Sequence, residues 1–287
     1  MKPTRVLQLL GIVLLSLVSL ATVNAQEWSP LNTQPNFAAG HMQLLTDGTV
    51  LVQQVSTGNW YQIIPNTSGV LGGLNDFSYT TGSFNLLPQM PSGYGPRFYA
   101  SAVLPDGRFL VEGGEYNFGV NTDTNLGAIY DPVGQFWHSV QAPSGWSQIG
   151  DATSVVLANG TFMMGQATIF STGSTRAQAL FDATHLTWNV FNNNSTSSGK
   201  TDPNAEEGWT LLPNKKVLTV DTQAPFNLPF NSEIFNPGST ASKGTWSSAG
   251  STQVLLPTNG GNPNIVPEMG PSILRPDGTV FSAGATG

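Results

Sequence analysis

Apolar residues come in short runs broken by Asp-Gly or Asn-containing turns, and one such phrase recurs five times along the chain. It is LLTDGTVLV at 44–52, VLPDGRFLV at 103–111, VVLANGTFMM at 155–164, LLPNKKVLTV at 211–220 and ILRPDGTVF at 273–281. Each phrase predicts a hairpin, with Gly or its equivalent taking the left-handed backbone that a three-residue turn needs. The turn residues Asp47, Asp106, Asn159, Asn214 and Asp277 are spaced by 59, 53, 55 and 63 residues. Self-similarity at this period predicts stacked supersecondary units.

The second repeat predicts four strands: Tyr99 to Leu104, Arg108 to Val111, Leu126 to Tyr130 and Phe136 to Val140. Aromatic residues punctuate the last two strands of each unit. Tyr130 and Trp137 are seven apart, as are Phe181 and Trp188, whereas Phe235 and Trp246 are separated by a longer Gly/Ser/Lys-rich turn. The inner strands are continuous apolar runs rather than alternating ones, which predicts that both their faces are covered. Small sheets stacked face to face around an axis meet that requirement, so the pattern predicts an all-β propeller of four-stranded blades.

A Gly-Gly pair after the second strand, Tyr or Phe on the third and Trp on the fourth resemble the kelch repeat. Gly113-Gly114 is the full doublet; Gln53-Gln54, Met164-Gly165, Val220-Asp221 and Ala283-Gly284 occupy the matching positions. Trp28, in Glu27–Leu31, looks like a fourth strand placed ahead of the first repeat, where it would close the last blade. The fifth repeat reaches Gly287 just after its second strand, so the expectation is an incomplete kelch-type β-propeller of four blades and half of a fifth. Within it, Pro96-Arg97-Phe98-Tyr99-Ala100-Ser101 and the following Leu104-Pro105-Asp106-Gly107 are similar to a blade segment of the galactose oxidase and glyoxal oxidase family. The resemblance implies a secreted propeller. Those enzymes carry a copper-radical site built from a Tyr crosslinked to Cys, a second Tyr and two His. This chain has no cysteine, and its three histidines, His41, His138 and His185, fall on different strand positions, so the copper-radical cofactor is not expected.

Lys2 and Arg5 precede an apolar run from Val6 to Val23, and Val23-Asn24-Ala25 supplies small residues for cleavage. Residues 1–25 are therefore expected to be a cleaved signal peptide, with an uncleaved anchor as the alternative, and 26–287 the propeller. Loss of the two basic residues leaves 8 Lys and Arg against 17 Asp and Glu, a net charge of −9. That balance excludes a phosphate-neutralising surface, so neither nucleic acid nor, after cleavage, a membrane is an expected partner. Sequons occur at Asn66, Asn159 and Asn194; Asn159 is explained by its turn.

Hairpin order sorts the loops onto two faces. The tight turns share one; the loops 113–125, 190–205, 221–231 and 249–267 share the other with the blade-to-blade connections, and function is expected there. The innermost strands begin at that face with Arg97 and Tyr99, then Asp151, then Glu206-Glu207, then Glu268. Arg97, Tyr99, Asp151, Glu207 and Glu268 are the predicted axial funnel. Its carboxylates would bind Ca²⁺ or sugar hydroxyls, unless they simply cap strand ends at a solvated mouth. No catalytic residue and no resident cofactor is expected. The functional expectation is a secreted, non-catalytic module that binds a protein or glycan through the long-loop face; the alternative is a truncated or degenerate galactose-oxidase-like or other carbohydrate-active enzyme.

Overall fold

The computed structural model describes residues 28–71, 74–167, 175–191, 199–222, 231–239, 244–254, 256 and 268–284. The expected signal peptide at 1–25, the sequon at Asn194 and much of the loops 190–205, 221–231 and 249–267 lie outside these residues. Among the described residues there are strands and turns but no helix, and no helix long and apolar enough to cross a membrane.

The first sheet pairs β1 (Ala39–Leu44), β2 (Val50–Gln54), β3 (Trp60–Leu71) and β4 (Leu74–Leu86) in chain order. Next come β5 (Pro96–Arg97), β6 (Ala100–Val103), β7 (Phe109–Glu112), β8 (Tyr116–Asn117), β9 (Val120–Asn121), β10 (Gly127–Asp131) and β11 (Phe136–Val140). Of these, β6, β7, β10 and β11 make the second four-stranded sheet, while β5, β8 and β9 make a small separate one. The third sheet contains β12 (Ser154–Val156), β13 (Phe162–Gly165), β14 (Gln178–Asp182) and β15 (Thr187–Phe191). The fourth contains β16 (Thr210–Leu211), β17 (Val217–Val220), β18 (Asn231–Asn236) and β19 (Thr245–Ser251). A last hairpin pairs β20 (Met269–Leu274) with β21 (Val280–Gly284). All strand pairs are antiparallel.

The recurring phrase is one hairpin built five times with the same bonds. An Asx side chain accepts the backbone N–H two residues on: Asp47 from Thr49, Asp106 from Arg108, Asn159 from Thr161, Asn214 from Lys216 and Asp277 from Thr279, at 2.9–3.2 Å. The next residue has a φ of 83° at Gly48, 86° at Gly107, 85° at Gly160 and 84° at Gly278, but the fourth hairpin places Lys215 there at 68°. A side chain in this conformation is strained by about 1–2 kcal/mol, more than the entropy that glycine costs on ordering. Lys215→Gly is thus expected to raise stability by about 0.5–1 kcal/mol, read as a higher urea midpoint at unchanged slope. A lower midpoint would mean that the lysine makes a compensating contact.

Why the apolar runs are continuous is visible in how the sheets stack. Phe109 and Val111 of β7 pack toward the first sheet with Leu51 and Trp60, whereas Leu110 between them packs toward the third with Phe162 and Met164. The alternation repeats one sheet on, where Phe162 and Met164 face the second sheet and Met163 faces Val217, Phe235 and Trp246 of the fourth. Side chains alternate across a strand, so a strand between two neighbours must be apolar at every position. The aromatic punctuation is a cross-strand pair in three sheets: Tyr130 opposite Trp137, Phe181 opposite Trp188 and Phe235 opposite Trp246, with ring centroids 5.1, 4.9 and 5.3 Å apart. Phe235 and Trp246 keep this pairing despite their longer separation in sequence.

First strands adjoin one another from sheet to sheet: β6 lies against β12, β12 against β16, and β16 against β20. Backbone bonds at their starting ends continue the series, from Gly114 N–H to Gly150 O at 2.9 Å, through a bridge between Ala152 and Ala205, to Met269 N–H and Glu206 O at 3.1 Å. The result is an all-β, propeller-like stack. Two local expectations differ from it. Residues 28–31 form no strand and Trp28 is fully exposed, since neither edge of the β20–β21 hairpin pairs with that segment. The loop 113–125 is not irregular throughout; β8 and β9 form a short hairpin that pairs with β5.

Candidate functional site

The four first-strand approaches that the sequence singles out each bring one charged residue to one end of the stack. Asp151 and Glu206, from the segments entering β12 and β16, share a side-chain hydrogen bond, and the charges of Glu115, Asp123 and Glu268 act on this pair. Two carboxyl groups hydrogen-bond only when one of them holds a proton. Burial, then the charges of Asp151, Glu268 and Glu115, push Glu206 up to about 8, and burial also raises Asp151, Glu115 and Asp123. Arg97 opposes the rise at Glu115 and is the cation on this rim.

Local backbone explains how these groups are held. Glu115 donates its N–H to Phe98 O at 3.0 Å, and its own carbonyl accepts from Thr122 and Asp123 at 2.9 and 3.1 Å. Its carboxylate accepts from Asn121 Nδ2 at 3.2 Å. The β8–β9 hairpin therefore carries Glu115 and Asp123 at its two ends. The Arg97 guanidinium stands 4.3 Å from the Phe98 ring centroid and 5.8 Å from that of Tyr116. Phe98 and Phe118 are each about half exposed, at 46 % and 51 %. Both occupy the left-handed region, with φ of 53° and 50°, as do Asp123 at 44° and Glu206 at 60°. Bulky residues rarely adopt this conformation, and such strain gathers where a surface is held ready for a ligand. The site is thus a guanidinium set against the Phe98 and Tyr116 rings, beside a coupled group of carboxyls, with Phe118 exposed on the same β8–β9 hairpin.

Of the predicted funnel residues, Arg97, Asp151 and Glu268 belong to this group. Tyr99 does not: its hydroxyl donates to Gln53 Oε1 at 2.8 Å and its ring packs 5.4 Å from His41 between the first two sheets. Glu207 points the other way. Its carboxylate accepts from Lys200 Nζ at 2.7 Å and from Trp209 Nε1 at 2.9 Å, in a buried cluster with Asp202, Asp221 and Glu233. The positive φ of Glu206 turns the chain so that these adjacent glutamates serve opposite sides. Sequence offset alone marks either glutamate, and nothing in it signals this reversal. Asp123 was missed because it sits in a polar stretch that reads as ordinary loop, and Lys200 for the same reason.

The side chains do not fit a copper-radical centre. His41 is wedged among Trp60, Tyr99 and Phe109, with ring centroids 6.2, 5.4 and 5.9 Å away, and burial lowers its pKa. His138 lies on the outermost strand β11 against Phe136, and His185 pairs with Asp182 at 2.7 Å in the β14–β15 turn. These positions are on separate sheets or their outer edge, and there is no cysteine to crosslink.

The sequence matches no family model and no curated protein. Solved structures do match the fold, among them propeller proteins and a galactose-oxidase-like enzyme. YjhT is 17 % identical with a TM-score of 0.51 over 80 % of this chain and 71 % of its own. A fungal AA5-family alcohol oxidase in complex with copper is 13 % identical, with a TM-score of 0.51 over 91 % of this chain and 56 % of its own. A streptogramin B lyase is 11 % identical, with a TM-score of 0.52 over 88 % and 63 %. The chain thus spans less than two thirds of the oxidase and of the lyase. At these identities the likeness concerns the fold alone.

Proposed function

We propose that this is an exported kelch-type β-propeller, its four four-stranded sheets and the β20–β21 hairpin being successive blades, that binds a glycan non-catalytically through its long-loop face. The observation that carries the reading is Phe98, strained and half exposed, whose ring lies against Arg97 and whose carbonyl accepts from Glu115 N–H, next to the coupled Glu115, Asp151, Glu206 and Glu268 carboxyls, with Phe118 exposed on the hairpin that carries Glu115. A pyranose offers an apolar C–H face and a rim of hydroxyls. Aromatic rings cover the first, and carboxylates accept from the second. The Gly113-Gly114 doublet supports the kelch assignment. Gly113 has a φ of 74°, and a Cβ there would lie 2.4 Å from Ile149 Cγ2, so this corner between blades admits only glycine.

Affinity electrophoresis against a panel of neutral and acidic polysaccharides tests the reading. Retardation by one of them is expected, weakened by about 1–3 kcal/mol, or roughly tenfold or more, in Phe98→Ala with Phe118→Ala. Retention of full binding in that variant, or a protein as the sole ligand, would reject the glycan assignment. A second reading, a degenerate or truncated oxidase, draws on the likeness to the AA5 enzyme. It requires stoichiometric copper and peroxide release from the same preparation, and the placement of His41, His138 and His185 argues against both.

A further inference from the structure

We infer that the buried carboxylates of Asp202, Glu207 and Asp221 form a structural site for one Ca²⁺ ion, distinct from the coupled Asp151–Glu206 pair. One oxygen from each of the three lies within 4.8 Å of the others, and all three residues are buried. Ca²⁺ binds oxygens at about 2.3–2.6 Å, so ligands on opposite sides of it are about 4.6–5.2 Å apart, and the three fit around one ion. Each ligand is held by its local surroundings. Asp221 directly follows β17; Asp202 is clipped to the same strand end by Thr222 N–H, which donates to Asp202 Oδ2 at 2.7 Å; Glu207 is oriented by Trp209.

Asp221 is the second, independent sign of a missing partner. It is only 4 % exposed, and its Oδ1 is buried without a hydrogen-bond donor. A buried carboxylate oxygen left unpaired is costly, and native structures seldom retain one unless something else satisfies it. Lys200 does not fill this need. Its ammonium bonds Glu207 at 2.7 Å and Glu233 at 2.8 Å, and Asp221 Oδ1 has no donor. A divalent cation between Asp202, Glu207 and Asp221 supplies Asp221 with its partner. Irregular geometry and an all-protein, anionic ligand set suit Ca²⁺ better than Mg²⁺, which keeps its waters and demands a near-ideal octahedron.

Chelator-dialysed full chain titrated with CaCl₂ in a calorimeter, with MgCl₂ in parallel, tests the site. The expected result is one Ca²⁺ per chain, weak or no Mg²⁺ binding, and a calcium-dependent rise in thermal midpoint. Asp221→Asn should lose affinity by more than the roughly 10–100-fold that removal of an outer-shell partner causes. The same variant removes a buried charge, so without calcium it should melt no lower than the parent, which separates loss of binding from loss of fold. Glu206→Gln should leave the isotherm unchanged. Absence of binding at millimolar calcium, an unaltered isotherm in Asp221→Asn, or loss of binding in Glu206→Gln instead would each overturn the assignment.

Discussion

Lys200→Met is expected to lower stability by about 3–5 kcal/mol, the cost of leaving buried charges without their partner. Lys200 is 1 % exposed, and its ammonium holds Glu207 and Glu233 while lying 4.9 Å from the Trp246 ring centroid. Burial favours the neutral amine, but the two carboxylates outweigh it and raise the lysine pKa above its ordinary value. Methionine keeps the stem and its packing while deleting the charge. Glu233 then keeps only the backbone N–H groups of Thr201 and Asp202, at 2.7 and 3.2 Å, to offset its burial inside β18. Urea unfolding with chelator present measures the loss. Adding Glu233→Gln to Lys200→Met should recover part of it, because the second change removes one of the stranded charges. A single variant as stable as the parent would show that the lysine is dispensable to the fourth sheet.

Glu112 gives the second large effect, with the opposite sign. It ends β7 at 0 % exposure, and both carboxyl oxygens are buried without a hydrogen-bond partner. There is room for it only because Gly127 stands opposite, where a Cβ would lie 2.3 Å from the carboxyl. Burial raises its pKa well above the usual 4.5. The folded chain therefore keeps this proton at a pH where the unfolded chain has released it. Over that window the unfolded state binds fewer protons, so the contribution of Glu112 is fully present in acid and is lost as pH rises above the unfolded value. Glu112→Gln cannot titrate. It should match the parent near pH 4 and exceed it at pH 8, the gap growing by about 1.4 kcal/mol for each pH unit between the unfolded and folded pKa values. A parallel offset between the two stability curves at every pH would refute the titration account.

The hairpins were fully legible because their cause is local. Asx at the turn, glycine after it and apolar residues on either side suffice, and even Lys215 adopts the turn that its neighbours dictate. The cross-strand pairs of Tyr130 with Trp137 and Phe181 with Trp188 were legible for a similar reason, since they are close in sequence and joined by one turn. The candidate site was legible only in part. Its approximate place follows from where first strands begin, but Glu206 rather than Glu207 joins Asp151 because one residue adopts a left-handed backbone. The grouping of Phe98 and Tyr116 around Arg97 depends on β5 reaching β8 across an intervening hairpin, and periodicity carries no record of that pairing.

The sequence by itself determined the repeating hairpin and the apolar strands covered on both faces. These follow from backbone geometry and side-chain alternation, which act over a few residues. Only the tertiary structure decided which charges meet. Lys200 lies 33 residues from Glu233, and Glu206 lies 55 from Asp151, so their encounters depend on how whole sheets stack and not on any spacing along the chain.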